Sequence, residues 1–188
     1  MKKNENAFTG LEAAIVLIAF VVVAAVFSYV MLGAGFFTAQ KAQDVVHSGI
    51  GQAASSIEVI GDVYGFENTT SGNGLGTVQF TIALTSGMSP MNISAMRVTY
   101  ADATTRTTPQ YLADRAALTG VQWNITEIFD EVTEDTILEP GEKFLLTVKV
   151  PDTPPNMRFT ISMQPEVGAL LTVVRTAPAS IYPVNILR

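Results

Sequence analysis

The sequence predicts an α+β protein in which one long N-terminal apolar α-helix precedes an antiparallel β domain. Three observations carry that expectation. Residues 13–40 contain no charged side chain. Beyond about residue 69, short runs alternate between apolar and polar residues, the period of a half-buried strand. Clusters rich in Gly, Pro and Ser separate those runs, as turns do. With 48% apolar residues in a chain of 188, one packed domain and an additional element are both affordable.

The helix is read from residues 13–27, an unbroken row of Ala, Val, Ile, Leu and Phe. With a rise of about 1.5 Å per residue, the roughly 28 uncharged residues reach about 42 Å, more than the roughly 30 Å hydrocarbon core of a bilayer. Because the segment is apolar on every side, its surroundings are lipid or other helices. Gly10 with Ala14, and Ala24 with Ser28, place small residues four apart, which lets neighbouring backbones approach. After Gln40 the apolar positions Val46, Ile50, Ala53, Ile57 and Ile60 step by four, three, four and three. That stripe predicts a helix continuing to Gly61, with a bend near Gly49 and Gly51.

In the second half, TVQFTIALT, KFLLTVKV and RFTISM alternate cleanly, and MRVTYA, VQWNIT and LLTVVR are further strands. Turn signals fall at residues 71–76, 87–90, 140–141 and 151–155. Short strands so punctuated suit a sandwich or a barrel.

The start of the chain allows three readings. Lys2 and Lys3 before an apolar stretch, with Gly33, Ala34 and Gly35 beyond it, match a secretory signal peptide. The same lysines match a transmembrane anchor held with its N-terminus in the cytoplasm. Neither accounts for Glu12, a carboxylate at the edge of the apolar run. In the third reading residues 1–7 are a polar leader cut between Ala7 and Phe8, an arrangement that resembles the class III signal of type IV pilin-like proteins. Cleavage there gives Phe8 a free α-amino group one helical turn from Glu12, and an acid in apolar surroundings needs such a partner. In an array of helices, Glu12 of one copy meets the amine of Phe8 in the next.

The net charge of −6 lies wholly beyond Gln40, since Lys2 and Lys3 offset Glu5 and Glu12. No basic stripe is interleaved with aromatics, so nucleic acid is not an expected partner. Without cysteine the chain has no disulfide, thiolate metal ligand or cysteine nucleophile. His47, the sole histidine, is assigned to a surface or subunit contact, so no Ser-His-Asp site is expected. SGNGLG precedes a strand and has no following Lys, so it is read as a turn rather than a phosphate loop. Trp123 is read as a core or edge aromatic. Glu127, Asp130, Glu131, Glu134, Asp135, Glu139 and Glu142 form an acidic cluster. It matches no EF-hand spacing and is read as a solvated loop, with structural Ca²⁺ as the alternative use and no assigned metal ligand. Asn68, Asn92 and Asn124 each begin an Asn-x-Ser/Thr sequence and are candidate glycan acceptors if the domain is exported.

Several of these stretches point one way. AFTGLEAAIVLIAFVVVAAVFSYVMLGAGFF resembles the N-terminal segment of archaellins, the archaeal flagellins, and DVVHSGIGQAASSIEVIGDVYG, ILEPGEKFLLTVKVP and VVRTAPASIYPVNIL are similar to that family in order and character. The resemblance implies a subunit of the archaellum, a rotating filament for swimming, and no enzymatic activity. It implies a leader at residues 1–7, a core helix at 8–61, and an outer immunoglobulin-like β-sandwich at 62–188. It further implies processing by a prepilin-peptidase-like enzyme, transient membrane insertion, and polymerisation with copies of itself or other archaellins outside the cell. Phe8, Gly10, Glu12, Ala14, Ala24 and Ser28 are the expected assembly residues. An adhesive pilus subunit and a single-pass anchored binding module are the alternatives.

Overall fold

The computed structural model describes residues 5–70, 73–85, 89–115, 117–131 and 135–188. Lys2, Lys3, Glu134 and parts of the turn signals at 71–76 and 87–90 lie outside them. The chain forms two compact units, Met1–Ser48 and Gly49–Arg188.

Helix α1 spans Glu5–Ala54. It therefore includes the end of the expected leader, and it runs through Gly49 and Gly51. It stops at Ala54 rather than Gly61, which corrects the expected boundary of 8–61. Its closing hydrogen bond runs from Ser55 N to Gly51 O, at 3.0 Å. Beyond it the chain is extended in β1, Ile57–Glu67. A spacing of three, from Ile57 to Ile60, suits a helix, whereas a strand turns the two to opposite faces: Ile57 is buried and Ile60 is exposed. The β-branched Ile57, Val59, Ile60 and Val63 favour the pleated surface. They are ordered there by a neighbour distant in sequence, with Ile57 opposite Leu84 and Ile60 opposite Thr81. Gly61 marks no helix end: its φ of +79° sits where the β1 register shifts between Ile60 and Tyr64.

The six expected strands are β2 (Leu75–Leu84), β4 (Arg97–Asp102), β7 (Gln122–Phe129), β9 (Lys143–Thr153), β10 (Arg158–Gln164) and β11 (Leu171–Thr176). To these the structure adds β1, β12 (Val184–Leu187) and the short β3 (Met91–Asn92), β5 (Arg106–Thr107), β6 (Gln110–Tyr111) and β8 (Ile137–Leu138). One sheet has the order β12-β1-β2-β9-β7-β6 and a second β11-β10-β4-β5, while β3 and β8 form a ribbon. Only β6 with β7 is parallel among these pairs.

One core joins the two larger sheets into a sandwich. Alternate residues such as Phe80, Trp123 and Leu146 from the six-stranded sheet meet Tyr100, Phe159 and Ile161 from the other, all at most 1% exposed. Trp123 is thus a core residue, tilted against Tyr111 with ring centroids 4.8 Å apart. A polar tie crosses the core where the Tyr100 hydroxyl lies 2.7 Å from Thr153 Oγ1 and donates to Asp102 Oδ2 at 2.9 Å. Burial, reinforced by Asp102, pushes the Tyr100 phenol well above its ordinary value. Burial alone would raise the Asp102 carboxyl, but hydrogen bonds from Thr104, Thr105 and Tyr100 outweigh it and lower its pKa. A depressed carboxylate stabilises the fold above its unfolded pKa, and that contribution fades as pH falls through the folded value.

Within the second unit, three hydrogen bonds tie residues 52–56, where α1 ends, to the β domain. Ala169 N donates to Ser55 O at 3.1 Å, Gln52 Nε2 to Gly168 O at 2.9 Å, and Thr85 N to Ser56 O at 3.0 Å. Gly168 adopts φ +127°, and a Cβ there would lie 2.2 Å from Ser55 O. Only glycine fits that position.

Candidate assembly surface

A helix of this composition forms because straight-chain and aliphatic side chains tolerate it and no proline interrupts it. What it lacks within its own chain is cover. Leu11, Ile15, Leu17, Phe20, Val23 and Phe37 are each 64–77% exposed, and the large apolar side chains from Leu11 to Ile50 are all more than half exposed. The span Gly10–Gln52 is long and apolar enough to cross a membrane. Large apolar surfaces left open in this way mark contacts with lipid or protein. Fully burying one such side chain from water is worth about 1.5–3 kcal/mol, so the span as a whole carries tens of kcal/mol of unspent association energy. Relative to lipid the gain is smaller, and close packing must supply it.

The glycines of α1 add a second clue. A Cβ at Gly10, Gly33, Gly35, Gly49 or Gly51 would meet nothing within 4 Å. Each weakens an isolated helix by roughly 0.5–1 kcal/mol relative to alanine. Nothing inside the chain requires them, so their benefit lies in what approaches from outside.

At about 100° per residue, Gly10, Ala14, Ala24 and Ser28 fall within an arc of about 80°, and Gly35 joins them. The helix thus brings the expected small residues onto one face, although Leu17 and Val21 share it. Glu12 lies roughly 160° away on the opposite side, exposed. Ala7 and Phe8 are in the first turns of α1. His47 is on α1 as well and is exposed.

The three glycan candidates separate sharply. Asn124 is 2% exposed, and its Nδ2 donates to Asp114 O at 3.1 Å, so the folded chain cannot present it; as a glycan acceptor it is corrected. Its sequon is instead a strand residue tying down the segment before β7. The Nδ2 of Asn68 donates to Asp152 Oδ1 at 3.2 Å. Asn92 is exposed, and its Oδ1 accepts from Ser94 N at 3.0 Å, Ser94 Oγ at 2.7 Å and Thr136 Oγ1 at 3.4 Å, so the bonds that hold it use the oxygen and not the amide nitrogen.

The acidic cluster is dispersed by local bonding. Asp130, at φ +57°, pairs with Lys143 at 2.7 Å, Asp135 Oδ1 caps Ile137 N at 2.6 Å, and Glu142 is buried with Oε2 accepting from Glu139 N at 2.9 Å. Among the described residues no three acids or histidines converge as metal ligands.

Two positions that sequence reasoning passed over also matter. Gly168 shapes the seat for the end of α1, as described above. Asn185 is buried and donates from Nδ2 to Gly65 O at 3.1 Å and to Tyr182 O at 2.6 Å, fastening the last strand to β1. An Asn amid apolar residues in IYPVNIL was the available signal for the second; nothing local announced the first.

Comparison with known proteins agrees with this architecture. A family model described as archaeal-type flagellin matches residues 7–175. Two proteins of Archaeoglobus fulgidus, named probable flagellin 2 and probable flagellin 1, are each 39% identical; the alignments cover 96% and 98% of this chain and 93% and 96% of theirs. Among solved structures, the subunit of the archaeal flagellum of Methanospirillum hungatei strain JF1 is 34% identical with a TM-score of 0.73, over 95% of this chain and 99% of that one. A match across nearly the whole length, from the uncovered helix through the sandwich, means that this chain belongs to the archaeal-type flagellin family.

Proposed function

We propose that the chain is a structural subunit of the archaeal flagellum filament, built into it through α1 and presenting the β-sandwich outward. One observation carries this reading: apolar side chains are open on every face of the helix in a chain similar along its length to a filament subunit. In a polymer, neighbouring helices supply the cover that one copy lacks. The chain is a structural protein rather than an enzyme, and the filament lies on the cell surface.

Residues 1–7 act as a leader that a prepilin-peptidase-like enzyme removes while α1 is held in the membrane. Phe8 then becomes the first residue, and its amine meets Glu12 of an adjacent copy. The geometry of the small-residue face supports close helix packing on the side away from Glu12. Shearing cells should release helical polymers whose subunits begin at Phe8. Recovery of the protein as detergent-soluble single subunits, with no polymer in the sheared fraction, would overturn the assignment.

If the outer domain carries N-linked glycan, Asn92 is the acceptor. Mass spectrometry of filaments is expected to find modification at Asn92, with Asn124 unmodified, and Asn92→Gln to remove most of the added mass. Glycan on Asn124 would require the segment around β7 to be open when the transfer occurs.

A further inference from the structure

The four strands of the smaller sheet carry four arginines, Arg97, Arg106, Arg158 and Arg175, against a single carboxylate, Asp102. In a chain of net charge −6 this reverses the sign locally. Asp102 makes no ion pair with them among the described residues: it lies opposite the buried Phe159, on the inner side of the sheet, and its oxygens accept from the Tyr100 hydroxyl and the Thr104 and Thr105 amides. Arg175 lies opposite the buried Phe159 and donates to Val174 O. The other three are exposed and alternate with the buried core residues, so they share the outward face. Register ties that face together: Ala101 is opposite both Arg106 and Thr160, and Thr160 is opposite Val174, with Arg158 two positions along β10 and Arg97 at the far end of β4. No ion pair engages these arginines among the described residues.

The opposite charge sits elsewhere on the same domain. Glu127, Asp130 and Glu131 are exposed at the end of β7, which belongs to the six-stranded sheet. Lys143 balances Asp130, leaving Glu127 and Glu131 without an ion pair among the described residues. A helical polymer joins copies through two different patches of one surface, because head-to-tail contacts that do not close into a ring propagate. Opposite charges on separate patches suit such a contact and fix its direction.

We propose that the outward face of the four-stranded sheet is a docking surface for the acidic end of β7 in a second copy of this chain; this rests on the filament reading above. Arginine suits the role, since its planar fork meets a carboxylate with two parallel hydrogen bonds. The small hydroxyl and methyl side chains between the arginines leave room for an approaching strand end. Because the contact is at a surface, salt screens it over a Debye length of about 8–10 Å.

Four filament preparations of the full chain test this: unaltered, Arg97→Glu with Arg106→Glu and Arg158→Glu, Glu127→Lys with Glu131→Lys, and all five changes together. The replaced side chains are exposed, so unfolding followed through the emission of Trp123, the sole tryptophan, should be unchanged. At low ionic strength each partial set should release about tenfold more subunits from pelleted filaments at a fixed temperature, or block assembly. The five changes together recreate the pair with its signs exchanged and should restore the unaltered behaviour. Partial sets that behave as the unaltered chain, a combined variant no better than either set, or sensitivity to the arginines but not the glutamates would each overturn the proposal. The last result would indicate an acidic surface polymer as the occupant. Absence of filaments from the unaltered chain would instead count against the filament reading.

Discussion

Gly168→Ala is expected to lower the melting temperature of the β domain by roughly 10 °C, a loss on the order of 3 kcal/mol. Two effects combine. A φ of +127° lies where side-chain-bearing residues are strained by about 1–3 kcal/mol. The new methyl would also fall 2.2 Å from Ser55 O, so the backbone must move. That movement breaks the bond from Ala169 N to Ser55 O and weakens that from Gln52 to Gly168 O, each worth about 1 kcal/mol. Gly141→Ala is the internal control: Gly141 also has a positive φ, +99°, but a Cβ there meets nothing within 4 Å, so only the strain remains. The measurement is thermal unfolding of the full chain in detergent, read through Trp123. If the two alanine variants melt together, the Ser55 seat is not what makes Gly168 necessary.

Glu12→Ala should abolish or nearly abolish incorporation into filaments while leaving membrane insertion and leader removal intact. On the proposed reading, each junction between copies contains the Glu12 carboxylate and the Phe8 amine in apolar surroundings. Deleting one partner of such a pair strands the other, a penalty of about 3–5 kcal/mol, which is a factor of roughly one hundred to several thousand in an equilibrium. The intact pair contributes far less than that, since desolvation cancels most of its attraction. Its value is therefore in setting register rather than in strength. Glu12→Gln should behave like Glu12→Ala, because an amide cannot balance the amine. The assay compares sheared polymer with membrane-retained protein by blotting. Normal polymer yield from Glu12→Ala would remove the pairing from the assembly mechanism.

How far the sequence could be read depended on whether neighbours in the chain were also neighbours in the fold. The apolar helix needed no context, because residues 13–40 form an uncharged run too long for a strand. Strands β2, β9 and β10 alternate so regularly that one face is buried in each, as their residues state by themselves. β1 reads as helix because Ile57 and Ile60 continue the helical steps of four and three, but pairing with β2 makes the segment a strand and turns the two isoleucines to opposite faces. β12 has four residues, too few for a periodic signal, and is fastened through its own Asn185 to Gly65 O in β1. The sequon at Asn124 is chemically complete, yet its strand position buries it. Glu142 looked solvated among its acidic neighbours but closes a turn on Glu139 N. For assembly, the glycines and Glu12 were visible as anomalies; the reversed charge of the four-stranded sheet was not, since its arginines are spread over residues 97–175 and only pairing gathers them.

The pairing of β12 with β1 also protects the sheet. β12 covers the edge of β1, with Leu187 opposite Val63 and Val184 opposite Phe66. The domain's first strand thus gains its second neighbour from a segment more than a hundred residues away in the chain. A row of unpaired backbone groups at a sheet edge is a template for mispairing with other chains. Loss of β12 would therefore uncover a sticky edge on a chain that already carries a hydrophobic rod.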